Sequence, residues 1–160
     1  MNKKQVHNQL ILALEATYQG AVKAAERAYN TATNNENVAE NKYDTLALEA
    51  SYLAQGQAQR VAECAQDLIA FQQLNISAAS LKLSVCLGAL VLLHDLDDNE
   101  KYVFYGPSAG GLKVQFAEKD IVVVTPGSPL GAAIKDRSVG DEISLFIGNK
   151  VIEYEIAEIY

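Results

Sequence analysis

Two hydrophobic periods divide this chain. Through the first half, small and apolar residues return every third or fourth position, as on one face of a helix. A first stripe runs through Val6, Leu10, Leu14, Tyr18, Ala21, Ala25, Ala28 and Ala32. A second runs through Tyr43, Leu46, Ala50, Leu53, Gln57, Val61, Cys64, Leu68 and Phe71, a coiled-coil seam with one polar interruption at Gln57. Between Gln5 and Phe71 there is no proline, and the only glycines are Gly20 and Gly56. Alanine, Glu, Gln and Leu dominate, all good helix formers. Each helix spans about 28 to 35 residues, or roughly 42 to 52 Å at the standard rise. The stretch Asn34-Asn35-Glu36-Asn37-Val38-Ala39-Glu40-Asn41-Lys42-Tyr43-Asp44 breaks the pattern. So short a polar hinge favours antiparallel neighbours in one chain over a coiled coil between chains.

After a linker around residues 75–80 the period becomes strand-like. Strands are expected over residues 83–94, 101–105, 112–116 and 121–125. The first two are separated by the turn Asp95-Leu96-Asp97-Asp98-Asn99, the next by the loop from Gly106 to Gly111. Ser128-Pro129-Leu130 opens a short helix running to about Asp136, with Ser128 as N-cap and Pro129 at its first position. Val139-Gly140-Asp141 turns into a strand over 142–147, and Gly148-Asn149 makes a hairpin to a last strand over 151–159. The predicted class is α+β, with a helical hairpin over 1–75, a linker over 76–82 and a mainly antiparallel β domain over 83–160.

Composition narrows the function. Lys and Arg number 13 against 20 Asp and Glu, without a basic block, which disfavours a protein that holds duplex nucleic acid by itself. Cys64 and Cys86 lack metal-ligand spacing, and Cys64 falls in the apolar register of a buried thiol. The N-terminus does not resemble a signal peptide, and residues 84–93 form an apolar run too short to span a membrane. A cytoplasmic protein is expected.

The candidate chemistry is sparse. Asn37 with Glu40 three residues on matches a capping box, and Glu36, Glu40 and Asp44 near a helix start suit the macrodipole. The same carboxylates, at a hairpin tip, are also able to offer oxygen ligands to a hard cation. His7 and His94 have no ligand-spaced partners and read as surface or satisfied histidines. Ser108 lacks a nucleophile elbow, and the loop 106–111 lacks the lysine of a phosphate loop. The acids Asp95, Asp97, Asp98 and Glu100 lack EF-hand spacing and read as a solvated turn. Leu130 is either an exposed apolar contact or a core residue.

Thr125-Pro126-Gly127-Ser128-Pro129-Leu130-Gly131-Ala132-Ala133-Ile134, then Val139-Gly140-Asp141-Glu142-Ile143 and Tyr154-Glu155-Ile156, resemble in order and spacing the C-terminal domain of the bacterial transcript-cleavage factors GreA and GreB. The segment from Leu87 to Pro107 is similar to that family's first strands, and Glu40-Asn41 on the long hairpin is similar to its acidic tip. The resemblance implies an FKBP-like C-terminal domain that docks on the rim of the RNA polymerase secondary channel. It implies a coiled coil entering the channel, where tip acids help hold a second Mg²⁺ of the polymerase active site. The factor itself would be a monomer, would carry no cofactor and would not be an enzyme. DNA and RNA would be met only through the polymerase. Of the family's Asp-x-x-Glu-Asn tip, Glu40 and Asn41 are present, and Asn37 stands in place of the first acid, with Glu36 beside it. Of its Asp-Ser-Pro docking motif, Ser128 and Pro129 are present, followed by Leu130, and Gly127 replaces the acid. A channel occupant that does not stimulate cleavage is the alternative. An FKBP-like prolyl isomerase or chaperone is a further one, against which stand the missing Trp and the Gre motifs.

Overall fold

The computed structural model describes residues 1–33, 46–79, 84–148 and 150–160. The elements are α1 (Lys3–Thr33), α2 (Leu46–Gln72), α3 (Ile76–Ala79), β1 (Leu90–Asp95), β2 (Glu100–Tyr105), β3 (Lys113–Phe116), β4 (Lys119–Val124), α4 (Pro129–Ile134), β5 (Glu142–Ile147) and β6 (Lys150–Ile159). The fold is therefore α+β, two long helices followed by a mainly antiparallel sheet with the short helix α4. The linker carries the one-turn α3. The hinge from Asn34 to Asp44, with Glu36, Asn37 and Glu40, lies outside the described residues. Among those described, no helix is long and apolar enough to cross a membrane.

Packing divides the chain into two compact units, one of residues 1–11 with 70–160, the other of residues 12–69. In the first, six strands form one sheet in the order β3-β4-β2-β1-β6-β5. All neighbours are antiparallel except β2 and β4, which run parallel. The register between β1 and β6 slips between Leu92 and Leu93, a bulge in the middle of the sheet. The expected strand over 83–94 is shorter than its apolar run suggested. Ser84 makes only an isolated bridge to Ser138, and a turn at Leu87-Gly88 precedes β1. Gly88 takes φ 87° there, a conformation open to glycine, and that turn limits the strand.

Both faces of the central strands are buried, which is why Leu90 to Leu93 read as a continuous apolar run rather than an alternation. On one face Val91, Leu93, Val103, Tyr105 and Ile156 join Leu130 and Ile134 of α4 in the main core. On the other, Leu90 pairs with Phe104 and Phe104 with Val123. Here the first turns of α1 and the last turn of α2 supply the cover: Val6, Leu10 and Phe71 have no exposed surface. His7, Phe71 and Phe104 stack with centroids 6.0 to 6.3 Å apart. Gly106 makes room for this layer, since a Cβ there would lie 2.8 Å from the Phe71 ring and 2.9 Å from Val123.

In the second unit α1 and α2 lie side by side as an antiparallel pair. A shallow depression between them is lined by Ala25, Glu26, Tyr29 and Asn30 of α1 and by Ala54 and Ala58 of α2. The α1 stripe is the expected one: each of its members is buried or half-buried. The α2 stripe needs one correction. Leu53 is 56% exposed, and Ala54 takes its place. The inward positions are Ala50, Ala54, Gln57, Val61, Cys64, Leu68 and Phe71, an unbroken alternation of four and three. A seam through Leu53 needs two consecutive steps of four, which rotates it off the partner helix.

Candidate functional site

The sequence places its docking candidates in the loop between β4 and α4, and that loop is held by hydrogen bonds within the motif. Ser128 sits in extended conformation at φ −81° and ψ 151°, the geometry of an N-cap. Its Oγ accepts from the Gly131 backbone N–H at 3.1 Å and donates to the Thr125 carbonyl at 2.8 Å. The same carbonyl accepts the Ser128 backbone N–H at 2.9 Å, and the Ser128 carbonyl accepts from Ala132 N–H at 2.8 Å. Pro129 occupies the first turn, where its missing N–H costs nothing. The N-cap and proline expectations therefore hold.

Gly131 explains why the motif is so compact. A Cβ at that position would meet the Thr125 carbonyl oxygen at 1.9 Å and Ser128 Oγ at 2.9 Å. Only glycine lets the helix start close against the end of β4. The sequence signal for this packing is a glycine inside a predicted helix, which costs helix propensity unless packing demands it.

The three docking candidates separate by exposure. Pro129 is exposed, Ser128 is half-buried with its hydroxyl engaged twice, and Leu130 is 9% exposed. Of the two readings of Leu130, the core is the one found, where it joins Ile134 and Val124. The surface that α4 presents is therefore Pro126, Gly127 and Pro129, all exposed, on a base fixed by Leu130. Beside it lies a concavity of about 700 Å³, lined by Ser128, Pro129, Val123, Leu145, Ile152 and Tyr154 among others. At its edge Lys101 Nζ donates to Tyr154 Oη at 3.3 Å and stands 5.2 Å from that ring's centroid. The role of Lys101 was missed, because its cross-strand relation to β6 depends on the β1 position between them.

The remaining candidates resolve as structure. His7 is buried, with Nε2 2.9 Å from the Phe71 carbonyl, and burial lowers its pKa below the ordinary 6.5. It is thus a satisfied histidine. Cys64 is buried and free, Cys86 half-buried and free. Asp95 Oδ1 accepts from the backbone N–H groups of Asp97 and Asn99, each at 2.9 Å, so this acid organises its own turn. The Asn99 side chain is the main cause holding Asp95 below the usual carboxylate range. Glu100 accepts from Lys119 at 2.6 Å and from Tyr102 at 3.2 Å, and the lysine chiefly lowers its pKa. Among the described residues no three His, Cys, Asp or Glu side chains are arranged to hold a metal ion.

No family model and no curated protein matches the chain. Solved structures do align with it. Gfh1 of Thermus aquaticus is 16% identical at TM-score 0.41, over 92% of this chain and 91% of that one. GreA factor homolog 1 of Thermus thermophilus is 17% identical at TM-score 0.39, over 94% of each. The transcription elongation factor GreA/GreB of Nitrosomonas europaea is 15% identical at TM-score 0.36, over 70% of this chain and 91% of its own. At these values the alignments are similarities only, and they carry no inference about activity.

Proposed function

We propose that this protein regulates transcript elongation by binding RNA polymerase at the rim of its secondary channel. In this reading α4 and its capped loop supply the docking surface, and the tip of the helical pair enters the channel. The observation that carries the reading is the motif from Thr125 to Ile134. Its residues resemble the docking segment of the transcript-cleavage factors, and in this chain they form a rigid turn with prolines outward. A turn fixed by Ser128 and Gly131 presents Pro126 and Pro129 without an ordering cost on binding, as suits a docking element. The protein has no chemistry of its own in this account. Hydrolysis of backtracked RNA belongs to the polymerase and its Mg²⁺, to which Glu40, helped by Glu36 and Asn37, would offer oxygen atoms.

A second reading has a specific observation behind it. Asn37 stands where the resembling family carries an acid, and an amide oxygen is a weaker ligand for a hard cation than a carboxylate. A factor of this kind occupies the channel and regulates the polymerase without accelerating cleavage. Cleavage of the transcript in stalled, backtracked complexes separates the two. Stimulation by the wild type that disappears in Glu40→Ala supports assisted cleavage. Binding without stimulation supports the occluding factor, and absence of polymerase binding by the wild type removes both.

A further inference from the structure

The concavity beside α4 is lined by one cation and by no carboxylate. Its volume of about 700 Å³ falls among those of sites that enclose a small ligand. Val122 and Val124 of β4, Leu145 of β5 and Ile152 of β6 form its apolar wall. They stand on the sheet face that α4 covers in part, and Val122 and Ile152 are only half-buried. Lys101 is the single ionised lining residue, in a chain where 20 acids outnumber 13 bases. Among the described residues Lys101 has no carboxylate within ion-pair reach, whereas Lys119 is paired with Glu100. Its ammonium donates one hydrogen to Tyr154 Oη at 3.3 Å. Two further N–H groups and the phenol O–H are left to donate. Donors set side by side in this way match the two oxygens of one carboxylate.

We propose that the concavity receives an apolar side chain of RNA polymerase, aliphatic or aromatic, whose neighbouring carboxylate is met by Lys101 and Tyr154. The proposal rests on the polymerase-docking reading and adds to it the chemistry of the partner segment. Charge selects the acid, because the lining offers a cation and hydroxyl donors to a ligand but no anion. The wall selects the apolar group, since a polar one pressed against Val122, Leu145 and Ile152 would lose water without gaining a partner. Continuity selects the protein. Gly127, Ser128 and Pro129 belong both to this lining and to the docking loop, so the two form one surface. Prolines outward beside an apolar hollow have the anatomy of an interface, an anchor in a pocket ringed by contacts that exclude water. Lys101 then acts as a specificity determinant: it accepts a partner segment with an acid at that place and repels one with a base.

Two measurements on the full chain test this. The first is affinity for RNA polymerase core enzyme in wild type, Lys101→Met and Lys101→Glu. Methionine removes the charge and keeps an apolar stem, so circular dichroism of that variant is expected to match the wild type. Binding is expected to weaken about fivefold in Lys101→Met and at least about 30-fold in Lys101→Glu, the larger loss shrinking as salt is raised. The second needs no polymerase: 4-phenylbutyrate and its uncharged amide are titrated into isotope-labelled protein and followed by NMR. The acid is expected to shift the backbone signals of Val122, Leu145 and Ile152 with low-millimolar dissociation, several-fold tighter than the amide. Lys101→Met should abolish that preference. Equal polymerase affinity in all three proteins overturns the proposal and leaves the channel reading standing. Absence of polymerase binding by the wild type removes that reading, and this occupant with it. Phenylbutyrate that shifts no residue of the concavity, or a preference for the acid that survives Lys101→Met, also overturns the proposal.

Discussion

The two compact units bury their apolar residues to very different depths. Around the sheet, in residues 1–11 and 70–160, whole strands are enclosed on both faces and rings such as Phe71, Phe104 and Tyr105 are almost fully buried. In residues 12–69 the buried apolar side chains among those described are Leu14, Ala28 and Cys64, none of them fully enclosed, while Leu12, Tyr29, Leu48, Tyr52, Leu53 and Ile69 are about half exposed or more. Stability scales with apolar area removed from water, so the first unit holds most of it. A two-helix pair whose seam is rich in alanine gains little from each contact.

That contrast sets the order of expected effects. Phe71→Ala removes a fully enclosed ring from the stack with His7 and Phe104, and should cost about 3 to 5 kcal/mol in denaturant unfolding. The matched change in the other unit, Leu53→Ala, should stay within about 0.5 kcal/mol, since its side chain is mostly exposed. Equal costs for the two would erase the contrast. Gly131→Ala drives a Cβ into the Thr125 carbonyl and should lower stability by roughly 2 to 4 kcal/mol. Ser128→Ala removes the cap and should cost about 1 kcal/mol. If Ser128→Ala weakens polymerase binding far more than this loss of stability explains, the hydroxyl contacts the partner directly.

The pH dependence sharpens the same comparison from the side of the enclosed unit. His7 binds its proton less readily folded than unfolded, because burial disfavours the charged ring. The unfolded chain therefore takes up more protons as pH falls below the ordinary 6.5. Stability from neutral His7 is complete above that value, declines as pH drops through it, and levels off below the depressed folded pKa. His7→Gln should flatten that step. A second decline at lower pH, through the depressed pKa values of Asp95 and Glu100, should persist in the variant.

Much of this architecture is legible in the sequence because it rests on period and capping chemistry. The α1 stripe, β5, the Ser128 cap and Pro129 follow from spacing and local hydrogen bonding alone. Leu53 was misplaced since a larger apolar residue outweighs Ala54 when the stripe is read by hydrophobicity, while helix geometry follows phase. The strand over 83–94 was too long because an apolar run does not show where a turn such as Leu87-Gly88 cuts it. Leu130 is ambiguous from sequence, because a helix of six residues is too short to show a periodicity. The packing of Phe71 and His7 on Phe104 joins residues far apart in sequence, and only the continuous run Leu90 to Leu93, buried on both faces, hinted at a second cover. The hinge acids fall outside the described residues, so their assignment rests on the sequence.

Gly127 offers the most direct trial of the central claim. It is exposed, a Cβ there meets no atom within 4 Å, and it stands where the resembling docking motif has an acid. The measurement is the affinity of the full chain for RNA polymerase core enzyme, by titration of a fluorescent label, for wild type, Gly127→Asp and Pro129→Asp. The account expects saturable binding by the wild type, several-fold tighter binding by Gly127→Asp, and a loss of about tenfold or more in Pro129→Asp with folding intact. Wild-type protein that does not bind, or binding indifferent to both substitutions, would contradict it.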